Sequence, residues 1–94
     1  MTQERIYNAL ITKGYQDKAA SILSEDLSRI NSALESCLIS WVESGEEVDY
    51  TAGGFSIKGL MHKFQLQYPA ALLSIDWVIK EPELATVAIN KGVR

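Results

Sequence analysis

Residues 27–42, LSRINSALESCLISWV, hold the most regular apolar pattern in the chain. Leu27, Ile30, Leu34, Cys37, Leu38, Trp41 and Val42 recur three and four residues apart. At 100° per residue they share a stripe about 140° wide, the signature of a helix with one face on a core. Ser28, Arg29, Ser32, Glu35, Ser36 and Glu43 fall on the opposite face, and Gly45 supplies a stop. The spacing predicts one amphipathic helix. Ile39 lies off its stripe, which makes it a candidate for a second contact such as one with another subunit.

Towards the N-terminus, Thr2 reads as an N-cap, Ile6, Tyr7, Leu10 and Ile11 keep helical spacing, and Gly14 is a stop. Asp17 reads as the cap of a second helix through Ala19, Ala20, Ile22 and Leu23. Ser24, followed by Glu25 and Asp26, is placed to cap a fresh start. Towards the C-terminus, residues 46–55 lose helical periodicity. Val48 and Tyr50 alternate with Asp49 and Thr51, and Gly53-Gly54 permits a tight turn. The stretch reads as a loop, with a short hairpin as the alternative. Ser56 then caps a short helix through Phe64, with Phe55 and Leu60 spaced as a hydrophobic staple. Pro69 opens an almost wholly apolar helix over 70–79, and Pro82 ends it and starts another that stops at Gly92. These elements predict an all-α protein, a compact bundle of about five helices in one domain over residues 1–94, with a loop or short hairpin near 46–55.

The chain has 94 residues, of which 47% are hydrophobic, and carries a net charge of −3. That length and composition suit one globular domain and argue against disorder. The charge is uneven. Residues 1–47 hold four basic against eight acidic residues, a net of −4, and residues 48–94 hold five against four, a net of +1. An acidic balance argues against a protein whose affinity comes from neutralising phosphates. Cys37 is the only cysteine, which excludes an intramolecular disulfide and a thiolate zinc site and suits a reducing compartment. Residues 1–10 include Glu4 and lack a basic segment followed by an apolar run, and no apolar stretch approaches the ~20 residues that span a bilayer. A cytoplasmic protein with no membrane partner is expected.

Residues 56–79 have the outline of a helix-turn-helix, with Gly59 where two helices approach and a turn at Gln65-Leu66-Gln67. Its second helix offers Ala70, Ala71, Leu72, Leu73, Ser74 and Ile75, which supply almost nothing to a base edge. Lys58, His62, Lys63 and Gln67 are the side chains able to reach phosphates, and they read equally well as solvated polar groups. Asp76, between Ile75 and Trp77, needs a partner if buried, either Lys80 one turn later or the N-terminus of a neighbouring helix. That makes Asp76 structural, since a catalytic acid requires a second polar group in a cleft. Cys37 and His62 are a nominal nucleophile and base, but Cys37 lies on the core stripe, where it acts as a small hydrophobe. Gly53-Gly54 lacks the Lys-Ser or Lys-Thr of a phosphate loop. Trp41 and Trp77 sit at core spacing. Neither catalysis, nor a metal, nor a cofactor is expected.

The segment 55–61, FSIKGLM, followed by 68–83, YPAALLSIDWVIKEPE, resembles the C-terminal half of small uncharacterised proteins carried by bacteriophages and mobile elements. The resemblance covers under half of the chain and carries over no catalytic residue. It implies a context: such accessory proteins often act by binding a host or phage protein, and inhibitors of bacterial defence, anti-CRISPR proteins among them, are of this kind. The expected function is therefore a protein-interaction module, a phage-type regulator or inhibitor of a host factor, with a helix-turn-helix DNA binder as the alternative and a homodimer as a further partner state. The candidate partner-binding residues are Glu43, Glu46, Glu47, Asp49, Tyr50 and Phe55. They combine carboxylates with aromatic rings able to anchor a contact.

Overall fold

The structure, a computed structural model, describes residues 1–92. Along the chain it forms α1 (Gln3–Thr12), α2 (Asp17–Leu27), a 3-10 turn (Ser32–Leu34), α3 (Glu35–Ser44), β1 (Thr51–Ala52), β2 (Phe55–Ser56), α4 (Ile57–Phe64), α5 (Tyr68–Lys80) and α6 (Pro82–Lys91). The fold is all-α, as expected, with six α-helices among the described residues, in keeping with the expectation of about five. The chain divides after Val48 into an N-terminal and a C-terminal unit.

In the N-terminal unit, the Thr2 side chain accepts the Arg5 N–H and starts α1. Gly14 ends it in the left-handed region at φ 99°. Its N–H bonds to Ile11 O and that of Tyr15 to Leu10 O, each at 3.0 Å, which satisfies carbonyls the helix end would leave bare. Ile6 and Leu10 of α1 and Ala20, Ser24 and Leu27 of α2 are buried. Asp17 does not cap α2. Gln16 holds that position, and the Asp17 carboxylate instead accepts the Tyr7 hydroxyl, tying α1 to α2. Ser24 starts no new helix either, because its hydroxyl turns back to Ser21 O inside α2.

The long helix expected over 27–42 is interrupted. α2 closes with tighter bonds, from Arg29 N to Asp26 O and from Ile30 N to Leu27 O, both 3.2 Å. Asn31 takes an extended ψ of 143°, and its side chain accepts the Ala33 N–H at 2.9 Å to begin the 3-10 turn that leads into α3. Leu34, Cys37, Leu38 and Trp41 are buried as the stripe requires, and Gly45 ends α3 at φ 75°.

In the C-terminal unit, β1 and β2 pair antiparallel, Thr51 with Ser56 and Ala52 with Phe55. The segment expected as a loop is thus the alternative hairpin. Its reason is Gly53-Gly54: both residues have positive φ, 57° and 83°, which suits the tight turn whose twist matches paired strands. A Cβ at Gly53 would also lie 2.7 Å from Val78 Cγ1 of α5. Ser56 caps α4 by accepting the Gly59 N–H at 2.9 Å. α5 buries Tyr68, Pro69, Ala71, Leu72, Ile75 and Val78, and α6 buries Ala85 and Ile89. Asp76 is 6% exposed, and Lys80 Nζ meets its carboxylate at 2.8 Å.

Candidate functional site

The acidic stretch begins where α3 stops. Glu43, in the last turn of α3, is exposed and accepts a charge-assisted hydrogen bond from Arg5 of α1 at 2.7 Å. Both side chains are in water, so the pair adds at most about 1 kcal/mol, and its larger effect is to hold Glu43 on the α1 side. Beyond Gly45 the chain runs without helix or strand through Glu46 and Glu47, both exposed. Neither carboxylate has a hydrogen-bond or ion-pair partner among the described residues.

The same end of α3 lies beside the end of α1. Lys13 Nζ sits 4.7 Å from the centre of the Trp41 ring, a cation–π contact that covers a buried indole. Tyr15, just past Gly14, is half-buried. Burial raises the pKa of its phenol, and the negative charge of Glu47 raises it further. The N-terminal unit therefore places an aromatic ring within the field of an otherwise unengaged carboxylate. Tyr15 was not among the candidate residues. The signal for it was Gly14, whose left-handed turn returns the next residue towards the helix it has left.

Asp49, Tyr50 and Phe55 belong to the C-terminal unit. Asp49 is exposed, but its Oδ1 accepts the N–H of Tyr50 at 2.9 Å and that of Lys58 at 3.1 Å. The Lys58 N–H is one of the donors that the first turn of α4 leaves without an intrahelical acceptor. With Ser56, Asp49 thus gives α4 two side-chain caps, and its negative charge suits the positive end of the helix. Tyr50 O accepts the Ile57 N–H at 3.1 Å and extends the hairpin pairing, while Tyr50 and Phe55 are each half-buried. Four of the candidates therefore have structural engagements, through pairing, capping or partial burial. Glu46 and Glu47 are the two with none.

The other constellations separate in the same way. Cys37 is buried in α3 and His62 is exposed on α4. Among the described residues, no group of three or more His, Cys, Asp or Glu is placed to hold a metal ion. In the helix-turn-helix outline, α5 leaves Ala70, Leu73, Ser74, Trp77 and Ile79 half-buried and only Lys80 exposed. The Ser74 hydroxyl bonds to Ala70 O, and Lys80 bonds to Asp76. No helix of the described residues is long and apolar enough to cross a membrane.

No protein-family model matches the chain, and neither a curated protein nor a solved structure matches it.

Proposed function

We propose that the chain is a protein-interaction module that docks on a basic surface of another protein through the acidic edge following α3. What supports this reading is a pair of exposed, otherwise unengaged carboxylates, Glu46 and Glu47, of which Glu47 acts through its charge on the half-buried phenol of Tyr15. Carboxylates of this kind steer a basic partner into encounter, and the Tyr15 ring gives the contact area that slows its release. Lys13, held over Trp41, and Arg5, held by Glu43, border the edge with fixed cations that reject acidic partners. The setting is cytoplasmic. In the context implied by the resemblance to bacteriophage and mobile-element proteins, the partner is a host or phage protein, and the module acts as a regulator or inhibitor rather than an enzyme. Bacterial defence components are the first targets to screen.

The test is capture from a bacterial lysate by wild type and by an E46K/E47K variant, read by mass spectrometry, with both proteins melting at the same temperature. A protein held by wild type and lost by the variant supports the reading. Equal capture removes the acidic edge from the interface. Retardation of random duplex DNA at low salt would favour the helix-turn-helix alternative instead.

A further inference from the structure

One carboxylate oxygen, Asp49 Oδ1, accepts two backbone N–H groups: that of Tyr50 at 2.9 Å and that of Lys58, nine residues on, at 3.1 Å. The bond to Lys58 ties the chain just past Glu47 to the first turn of α4. Along an extended chain the Glu47 Cα lies at most about 7 Å from that of Asp49, and the Glu46 Cα at most about 10 Å. The Asp49 oxygen thereby confines two residues that stand in neither helix nor strand and whose carboxylates make no bonds of their own. Ser56 caps the same helix by accepting the Gly59 N–H at 2.9 Å, but that bond closes within residues 56–59 and ties nothing upstream of the hairpin.

We propose that Asp49 is a latch for the acidic edge, a positioning residue that confines Glu46 and Glu47 through its bond to α4 and frees them when that bond opens. The two bonds it accepts are exposed, whereas Ile57 and Leu60 keep α4 packed through buried side chains. Opening the latch therefore removes a cap and leaves the core in place, a local event that precedes unfolding of the unit. The hairpin has its own tie, from Ile57 N–H to Tyr50 O at 3.1 Å. The consequence for binding rests on the reading of the edge as a docking surface: a latched edge loses less freedom when a partner seats on it and so holds that partner longer.

A glutamate-specific endopeptidase reads the latch with no partner present. Glu46, Glu47 and Glu81 are the glutamates outside helices, and cutting after Glu46 or Glu47 gives fragments that mass spectrometry identifies. With folded protein in every case, D49A should be cut at these bonds at least about fivefold faster than wild type, the change that loss of one cap supports. D49N, whose amide oxygen still accepts the same N–H groups, should stay within about twofold of wild type. S56A, which removes the other cap of α4, should also stay within about twofold at these bonds. Hydrogen exchange on the wild type gives a second reading that needs no variant: the Tyr50 and Lys58 amides share one acceptor, so their protection should agree within about threefold. D49A cut at the wild-type rate, or S56A or D49N cut as fast as D49A, would overturn the latch, as would a Lys58 amide that stays protected while that of Tyr50 exchanges freely. None of these readouts involves a partner, so the latch and the docking surface fail separately.

Discussion

The N-terminal and C-terminal units both set helix limits with local caps, Thr2, Gly14, Asn31 and Gly45 among them in the first, but the N-terminal unit leaves the start of α2 to a contact between helices. In the C-terminal unit nearly every boundary has a local cause: Gly53-Gly54 turns the hairpin, Asp49 and Ser56 cap α4, and Pro69 and Pro82 stand in the first turns of α5 and α6. In the N-terminal unit α2 begins at Asp17, after a Gln16 that makes no side-chain capping bond, and is held instead by the Tyr7 hydroxyl on Asp17. The break between α2 and α3 rests on one capping amide, that of Asn31. The difference teaches that a boundary set by a cap or a proline is independent of the rest of the fold, whereas one set by packing is not.

The largest expected effect asks whether the units nevertheless depend on burial alike. Leu38→Ala and Trp41→Ala in α3, and Leu72→Ala in α5, should each cost about 3–5 kcal/mol, because each empties a buried site. Ser32→Ala and Glu35→Ala, at exposed positions, should stay within about 0.5 kcal/mol. Urea denaturation measures all five, and equal values for core and surface changes would break the assignment of the stripe.

Gly53→Ala comes next, with an expected loss of about 1–3 kcal/mol. It places a side chain at φ 57° and drives a methyl against Val78. A loss confined to a few tenths would show that the hairpin turn is not the local determinant it is taken to be. Below it stand the caps. Asp49→Ala and Ser56→Ala should each cost about 1 kcal/mol, while Glu46→Ala and Glu47→Ala should leave the midpoint unchanged. That contrast divides four neighbouring polar residues into fold and surface. The smallest effect is a gain: Gln65 ends α4 in the left-handed region at φ 56°, so Gln65→Gly should add about 0.5–1 kcal/mol. Thermal denaturation showing no gain would mean that the bond from Gln65 Nε2 to His62 O offsets the backbone strain.

Much of the C-terminal unit was legible because its signals are chemical and local. Ser56, Pro69, Pro82 and the i, i+4 pair of Asp76 with Lys80 needed only their neighbours in sequence to be understood. The break at 28–34 was not legible from periodicity, which records the angle at which side chains recur and not whether the helix between them is continuous. Leu27 and Leu34 hold their burial across an interruption, so the stripe reads as one helix although two elements carry it. Asn31 before Ser32 was the available sign, an N-cap residue inside an apolar pattern. The candidate site was legible only as a run of acids. That Asp49 accepts a backbone N–H of α4, and that the charge of Glu47 acts on Tyr15 beyond another helix end, depends on tertiary folding that spacing along the chain does not encode.

The central claim is that Glu46 and Glu47 act on a partner while Asp49 acts on the fold. Its most direct test is the salt dependence of the association rate for a protein captured by the wild type, with E46K/E47K and Asp49→Ala compared under the same conditions. The expected result is a wild-type rate that falls as salt rises, and an E46K/E47K rate about tenfold lower at low salt and nearly flat, with dissociation little changed. Asp49→Ala should lower the melting temperature and keep the wild-type salt slope. Identical salt slopes for wild type and E46K/E47K would contradict the claim, as would an Asp49→Ala variant that melts normally but associates slowly.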